Sequence, residues 1–396
     1  MSDTLGVYIS IPFCRAKCTF CNFASDAFAL DRLDPYLDRL AQEIAAAREH
    51  AQSRNAHLPS QIDTLYFGGG TPSLLTAQQL DRIFTALHSS FQIAPSPEIT
   101  LECAPGQLSD ETLHAALKLG VNRVSLGIQS FVDAETRAVG RLHTAQMCFD
   151  EIARLRSAGI KALSLDLIAG LPGQTAASWE HSLEALLSAQ PEHASVYMLE
   201  IDDDSRLGKE LIAGGPRYGA SNVPTDDAMT DFYARACEAF EANGLAQYEI
   251  SNFAREGHAS RHNLKYWQRA PYLGFGLDAH SMLHLDERGE ANESIRFANP
   301  DDLTAYAAAF TPETTEVNTD AAFEESLFLG LRRNLGVELD LLAAEFGSAR
   351  VQSLAPIVND LVTNGLLDRA GPYIRLTPHG RIVSNDVFAE LLAVAV

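Results

Sequence analysis

The chain has 396 residues, of which 46% are hydrophobic and 21% are charged, and its formal net charge at pH 7 is −22. A chain of this size can bury one large core and a smaller one, so we expect two domains. Nucleic acid is disfavoured as a partner, because non-specific binding to phosphates depends on clustered Lys and Arg. The sequence shows neither a bilayer-length apolar run nor a secretory leader, which predicts a cytoplasmic protein without an integral membrane segment.

Short apolar or β-branched runs alternate with helical segments over the first half of the chain, which is the pattern of parallel βαβ units. The predicted strands are 7–13, 64–67, 98–103, 123–129, 162–168 and 195–201. A helix is predicted over 77–91, and Thr76 with Gln79 fits a capping box at its start. Six units are too few for a closed eight-stranded barrel. We therefore predict an α/β fold with a partial, TIM-like (β/α)6 barrel and a site at the carboxyl ends of its strands.

Three cysteines follow the first predicted strand with the spacing C-x3-C-x2-C, at Cys14, Cys18 and Cys21. Protein iron–sulfur clusters of four irons normally take four thiolates, so three on one loop leave one iron open for a small molecule. A zinc site would need a fourth Cys or His nearby, and the nearest histidine, His50, lies on a predicted helix. The six cysteines of the chain are too sparse for a disulfide-stapled domain. The spacing therefore favours a cluster.

Glycine-rich or polar residues end the later strands, where they would face the same cavity as the cysteines. In chain order they are Gly69, Gly70, Thr71, Glu102, Gln129 and Asp166. Glycines let the backbone approach a ligand closely and offer free N–H and C=O groups, although such a segment can also be only a turn. Acids in apolar strands need partners, because an unpaired buried charge is costly. A ligand's ribose or ammonium group would serve, and so would an ion pair with Arg123 or Arg141.

The alternation of strands and helices stops near Thr315. Apolar residues then recur every four positions, at Phe323, Leu327, Leu331 and Leu335. Residues 339–396 show the order helix, helix and short strands, which is typical of a winged helix. We predict a barrel over 1–245, a connecting segment over 246–314 and a C-terminal helical, winged-helix-like domain over 315–396. The acidic chain favours a lid or docking module over DNA binding for this last domain.

The order of these motifs resembles the oxygen-independent coproporphyrinogen oxidase superfamily of radical S-adenosylmethionine proteins. The matching segments include Y-I-x-I-P-F-C, Y-F-G-G-G-T-P, G-x-Q-S-F, G-R-x-H and D-L-I-x-G-L-P-G-Q-T. The resemblance implies a radical S-adenosylmethionine barrel with a 4Fe-4S cluster on the three cysteines and S-adenosylmethionine on the open iron. It also implies that the cluster's electron splits the sulfonium. The implied cofactor-binding residues are Tyr8, Phe20, Gly69, Gly70, Thr71, Glu102, Gln129, Arg141, Asp166 and His262.

Two features resemble the HemW-type haem chaperones within this superfamily more than its decarboxylating oxidases. Phe23 stands where the oxidases carry a fourth cysteine, and only thirteen residues precede Cys14, where the oxidases have a longer extension. The segment around His262 also resembles the H-N-x-x-Y-W motif of those chaperones. An imidazole can ligate haem iron and aromatic rings can cover a porphyrin, although His262 can equally be a structural residue. His280 is a second candidate ligand with the same two interpretations.

Three functions are compatible with these patterns. The first is a chaperone that binds haem and passes it to acceptor haemoproteins, with homodimerisation left open. The second is an oxidase that uses the same cofactors to decarboxylate coproporphyrinogen III. The third is a DNA-binding regulator with a sensor cluster, which rests only on the C-terminal pattern and is disfavoured by the negative charge. We expect the chaperone.

Overall fold

The computed structural model describes residues 4–285, 293–308 and 312–395. The first part of the chain alternates strands with helices: β1 (Thr4–Ile11), α1 (Leu33–Ser53), β2 (Gln61–Gly69), α2 (Ala77–Ser90), β3 (Gln92–Cys103), α3 (Asp110–Lys118), β4 (Arg123–Gln129), α4 (Asp133–Ala138), α5 (Ala145–Ala158), β5 (Ala162–Ala169), α6 (Ala176–Ser188), β6 (His193–Met198), α7 (Arg206–Ala213) and α8 (Asp226–Ala242). This order confirms the six predicted βα units.

The rest of the described chain combines helices with short strands. They are β7 (Ala246–Gln247), β8 (Asn252–Ala254), α9 (Arg261–Trp267), β9 (Tyr272–Phe275), β10 (His280–His284), β11 (Ser294–Ala298), α10 (Leu303–Ala307), β12 (Glu313–Val317), α11 (Thr319–Arg332), β13 (Val337–Glu338), α12 (Leu339–Phe346), α13 (Ser348–Ser353), α14 (Ala355–Thr363), β14 (Leu367–Ala370), β15 (Tyr373–Leu376), α15 (Pro378–Ile382) and α16 (Ser384–Ala395). Among the described residues, no helix is long and apolar enough to cross a lipid bilayer.

One sheet of twelve strands organises the larger part of the molecule. Its order is β12-β11-β10-β9-β1-β2-β3-β4-β5-β6-β8-β7. The strands from β9 to β6 are parallel, and the antiparallel strands lie at the two edges. The sheet does not close, which confirms a partial barrel. The parallel strand β9 was not predicted: it has only four residues, and its place beside β1 depends on a pairing that no local pattern reveals.

Local sequence explains why several elements begin and end where they do. The capping box predicted at the start of α2 is present, with the Thr76 hydroxyl accepting from the Gln79 amide at 3.2 Å and the Gln79 side chain accepting from the Thr76 amide at 3.0 Å. The first strand ends at Ile11 rather than at residue 13, because Pro12 has no N–H for the sheet. The sixth strand begins two residues earlier than predicted, at His193, and ends at Met198.

The C-terminal residues form their own apolar core. Its members run from Val317 to Leu391 and include the buried Phe323, Leu327 and Leu331 on α11. The prediction that Leu335 continues this stripe is wrong: α11 ends at Arg332, and Leu335 is 62% exposed. Helices α12 to α14 precede the antiparallel pair β14 and β15, which is the predicted winged-helix-like order.

Candidate functional site

The three cysteines of the C-x3-C-x2-C motif lie on the loop that leaves β1, and all three are partly buried. Each sulfur has a polar neighbour. The distances are 3.5 Å from Thr71 Oγ1 to Cys14 Sγ, 3.5 Å from Arg141 Nη1 to Cys18 Sγ, and 3.8 Å between Cys21 Sγ and Ser25 Oγ. Thr71 and Arg141 donate hydrogen bonds to Cys14 and Cys18 from outside the loop. Such hydrogen bonds favour the thiolate form.

Burial raises the pKa of the Cys14 and Cys21 thiols, although hydrogen bonds from Thr71 and Ser25 oppose that rise. Metal binding releases the thiol protons, because the thiolate is the ligand. Among the described residues, no three His, Cys, Asp or Glu side chains converge on one point as ligands of a single ion. A four-iron cluster does not need such convergence, since each of its cysteines binds a different iron.

Contacts with distant segments hold the cysteine loop in place. The Thr19 amide donates to the Val139 carbonyl at 3.1 Å, and the Leu207 amide of α7 donates to the Thr19 carbonyl at 2.8 Å. Phe20, a predicted cofactor-binding residue, packs against a small apolar cluster that includes Val139 and Leu171. Phe20 therefore anchors the loop.

The glycine-rich turn after β2 packs directly on the start of this loop. The Gly70 amide donates to the Ile11 carbonyl at 2.9 Å, and the Thr71 amide donates to the Phe13 carbonyl at 2.9 Å. The expectation of free N–H groups is therefore wrong for these two residues, which pair with the last residue of β1 and with the backbone just after it. A Cβ on Gly70 would lie 2.8 Å from both of those carbonyl oxygens. Only glycine permits this approach.

Glu102, at the end of β3, is partly buried beside hydroxyl and amide donors. Tyr66 Oη donates to Glu102 Oε1 at 2.8 Å. Burial raises the pKa of Glu102 to about 7; the Tyr66 hydrogen bond and the Gly69 amide oppose the rise, and the negative charge of Asp166 adds to it. The carboxyl therefore changes its charge near neutral pH.

Asp166, on β5, is held by serine hydroxyls. Ser125 Oγ donates to Asp166 Oδ2 at 3.0 Å and Ser164 Oγ donates to Oδ1 at 3.2 Å. Burial raises the pKa of Asp166, while hydrogen bonds from Ser195, Ser125 and Ser164 and the positive charge of Arg123 lower it.

The ion pairs considered from the sequence do not form among the described residues. Arg123 Nη1 donates instead to the His258 carbonyl at 3.0 Å, and Arg141 donates to the Gly127 carbonyl and to Cys18. Glu102 and Asp166 thus have hydroxyl partners and remain available to a ligand.

Gln129 is the last residue of β4, and Arg141, in the segment that follows, contacts Cys18 of the cysteine loop. Gln129 has a positive φ of 71°, which is uncommon for a residue other than glycine. A Cβ on Gly127 would lie 3.0 Å from Gln129 Nε2 and 3.2 Å from Arg141 Nη2, so the three residues are in close contact. Among the described residues, Arg141 Nε is buried without a hydrogen-bond partner. A buried donor left unpaired on a side chain that also bonds Cys18 fits a site for a small polar ligand.

Tyr8 and Tyr66 point from β1 and β2 into the barrel and stack with ring centroids 6.0 Å apart. His262 of α9 stacks on the other side of Tyr66 at 5.2 Å. Its Nδ1 lies 2.9 Å from Thr64 Oγ1 and its Nε2 lies 2.8 Å from Tyr266 Oη. His262 is only 1% exposed, and burial lowers its pKa to about 3.

Haem ligation by His262 does not fit this geometry. Both ring nitrogens are already hydrogen-bonded within the protein, and the side chain is covered on the floor of the barrel. Tyr266 packs edge-on against His262, while Trp267 lies under the guanidinium of Arg332 at 4.5 Å from the ring centroid. Of the two interpretations of this segment, the geometry supports the structural one.

The sequence matches two family models. Residues 8–186 match the radical SAM superfamily and residues 317–383 match the HemN C-terminal domain. A heme chaperone HemW from Bacillus subtilis is 32% identical over 388 residues, which cover 98% of this chain and 99% of the relative. The chain belongs to the HemW family. A second HemW relative, from Lactococcus lactis, is 31% identical over 98% of this chain and 97% of its own.

Coproporphyrinogen III oxidase (HemN) from Escherichia coli has a solved structure whose fold is similar to that of this chain. It is described as a radical SAM enzyme, and it superposes with a TM-score of 0.81 over 98% of this chain and 90% of its own. Sequence identity to it is 22%, so this likeness concerns the fold alone.

Sequence reasoning missed several partners in this HemW-family site. Tyr66, Ser125 and Ser164 bind the two acids, and Ser25 approaches Cys21. One signal could have found the serines: in the sheet register, Glu102 pairs with Ser125 and Ser125 with Ser164. Polar residues on adjacent positions of otherwise apolar strands indicate one polar patch.

Proposed function

We propose that the chain is a cytoplasmic haem chaperone that carries a 4Fe-4S cluster on Cys14, Cys18 and Cys21, binds S-adenosylmethionine beside it, and passes haem to acceptor haemoproteins. The observation that carries the proposal is the convergence of thiols, acids and an unpaired buried donor at the carboxyl ends of neighbouring strands. The names of the full-length relatives support haem as the cargo. A reducing cytosol would keep the cysteines available as ligands.

The chain's own groups suit the parts of S-adenosylmethionine. The carboxyls of Glu102 and Asp166 can accept hydrogen bonds from ammonium or ribose groups, and Arg141 can donate to a carboxylate. The amides of Gly70 and Thr71 already donate to backbone carbonyls of the protein. We therefore expect the glycine-rich turn to offer carbonyl oxygens to the ligand's amino group. When bound, the cluster supplies an electron to the sulfonium.

Exposed apolar side chains around the same end of the barrel support a haem-binding role. They are Phe23, Leu30, Leu142, Met147, Tyr197, Leu211 and Ile212. Tyr197 lies in β6, Leu211 and Ile212 lie in α7 and Met147 lies in α5, while the others lie in connecting segments; each is at least 37% exposed. Exposed apolar side chains that form a contiguous patch mark ligand or protein contact sites. A porphyrin is a flat apolar disc that could cover part of them.

The discriminating experiment is anaerobic reconstitution followed by parallel assays of haem uptake and coproporphyrinogen III turnover. We expect uptake without turnover, because Phe23 occupies the place of the fourth cysteine of the oxidases and is 62% exposed. Repeated turnover, or restored haem synthesis in cells that lack their own oxidase, would overturn the chaperone in favour of the oxidase. If the protein shows no haem uptake and no turnover, both the chaperone and the oxidase are refuted.

Replacing Asp166 or Glu102 by Ala should weaken S-adenosylmethionine binding while the cluster stays in place. A lost charge-assisted hydrogen bond costs about 1.5–3 kcal/mol of binding free energy. Calorimetry of the reconstituted variants would measure this loss. Asp203→Ala is the matched control, because Asp203 is an exposed acid in a loop. Unchanged affinity in both site variants would remove these acids from the site.

Binding of S-adenosylmethionine should strengthen as the pH rises. The pKa of Glu102 is raised to about 7, so its carboxyl is mostly protonated at about pH 6 and mostly ionised at about pH 8. A cationic ligand prefers the ionised form, and the affinity should approach a tenfold gain per pH unit below this pKa. Glu102→Gln should flatten the profile. An equally steep profile in that variant would assign the titration to another group.

A further inference from the structure

The turn between β9 and β10, residues 276–279, lies at the rim of the candidate site, and His280 follows it as the first residue of β10. A Cβ on Gly276 would lie 2.7 Å from the Ser10 carbonyl oxygen, and one on Gly69 would lie 3.0 Å from Ser10 Oγ. The turn and the glycine-rich turn therefore both contact the end of β1, on neighbouring strands to either side. Four residues after Ser10 the chain reaches Cys14. This turn is thus part of the mouth of the barrel.

A buried carboxyl fixes the backbone of this turn. Glu43 of α1 is 7% exposed, and its Oε2 accepts from the Gly276 amide at 3.1 Å and from Tyr306 Oη at 2.7 Å. Its Oε1 accepts from Asn299 Nδ2 at 2.6 Å, and that amide also donates to the Gly276 carbonyl at 2.7 Å. Such a network is costly to bury and rigidifies what it binds. The rigid element here is a largely buried turn from which Asp278 reaches solvent.

Asp278 of this turn places its carboxylate next to the imidazole of His280, the residue that begins β10. Asp278 has a positive φ of 55°, and its amide donates to the Pro300 carbonyl at 2.9 Å. Its Oδ1 lies 3.8 Å from His280 Nε2. The His280 side chain is 68% exposed and that of Asp278 is 42% exposed. Strained backbone held by a buried network is a feature of functional sites.

The other histidines close to the site are occupied. His262 has both ring nitrogens bonded on the barrel floor, and His143 is 5% exposed with its Nε2 3.0 Å from the Ile128 carbonyl oxygen. His280 combines exposure with a place at the mouth. A carboxylate beside an imidazole is also the usual arrangement that orients a metal-binding histidine.

We infer that His280 is the imidazole that ligates the haem iron, with Asp278 orienting its ring. This inference rests on the proposed function and assigns the cargo to a position at the cluster side of the barrel. Apolar surface is available nearby: Leu30 is 62% exposed on the segment that leads into α1, and Tyr36 of α1 accepts from the Leu277 amide of the turn at 3.0 Å. Haem iron accepts histidine as an axial ligand.

The test is a titration of haem into the reconstituted protein, followed by its absorption spectrum. His280→Ala should lose the Soret band of imidazole-ligated haem, and added free imidazole should restore it. Asp278→Asn should keep the ligand and weaken haem affinity by about tenfold, the lower end for a lost orienting carboxylate. His379→Ala, an exposed histidine of the C-terminal domain, is the control and should match the unmodified protein. Circular dichroism and S-adenosylmethionine binding report on folding.

The outcomes separate this inference from the proposed function. If the unmodified protein takes up no haem, the proposed function fails. If it takes up haem and His280→Ala keeps the same spectrum and affinity, the assignment of His280 is wrong while the chaperone stands. An equal change in His379→Ala would show adventitious binding to surface histidines and would also overturn the assignment.

Discussion

Replacing Cys14, Cys18 and Cys21 together by Ala should leave a folded protein without iron and sulfide. The three thiols lie on one loop with hydrogen-bonding neighbours at 3.5–3.8 Å, and each would bind a different iron of the cluster. Loss of all three removes every protein ligand that we assign to it. Iron and sulfide analysis after anaerobic reconstitution measures the effect, and S-adenosylmethionine binding should fall with it.

A matched control for the cysteine change is Cys237→Ala. Cys237 is partly buried on α8, away from the cysteine loop, and burial raises its pKa to about 11. This variant should incorporate iron and sulfide like the unmodified protein. Iron that survives the triple change, or zinc in place of iron in anaerobically purified protein, would contradict the cluster.

Gly70→Ala should be a strongly damaging single change at the cysteine loop. The added Cβ would lie 2.8 Å from the Ile11 carbonyl oxygen, the Phe13 carbonyl oxygen and the Pro12 carbonyl carbon, all of them backbone atoms. Backbone cannot rotate away as a side chain can, so the turn and the cysteine loop must separate. We expect a loss of about 3 kcal/mol in the free energy of unfolding, the upper end for overpacking, together with reduced cluster incorporation.

Denaturant titration and iron analysis together test the Gly70 change. Gly365→Ala is the comparison, because Gly365 has a positive φ of 72° and no atom within 4 Å of its added Cβ. That variant should lose only the cost of the left-handed backbone, about 1 kcal/mol, and should keep its iron. Normal stability and iron content in Gly70→Ala would mean that the close approach of the two loops is not needed.

Much of the barrel follows from local patterns. Each strand from β1 to β6 is a short apolar run, and parallel strands buried on both faces read in this way. Residues that follow such strands must share one end of the sheet, so Cys14, Glu102 and Asp166 could be placed on one side without coordinates. The capping box of Thr76 was also readable, because it depends on residues only three positions apart.

Long-range pairing accounts for what the sequence did not reveal. The orientation of His262 depends on its hydrogen bond with Thr64, which lies 198 residues away in the chain, and on its stacking against Tyr66. The Gly70 amide donates a hydrogen bond to a carbonyl of another strand, and no property of a glycine run can indicate that bond. The turn that precedes His280 is held by Glu43, 233 residues before Gly276. Such contacts exist only once the sheet is assembled.

The hydroxyl partners of Glu102 and Asp166 bear on discrimination between ligands. Tyr66, Ser125 and Ser164 hydrogen-bond to these carboxyls, and among the described residues no salt bridge neutralises either acid, so each carboxyl that ionises adds negative charge to the pocket. A sulfonium would supply the missing positive charge, whereas a thioether of nearly the same shape would not. The site should therefore bind S-adenosylmethionine more tightly than a thioether analogue that lacks the sulfonium charge, so that charge as well as shape distinguishes the two ligands.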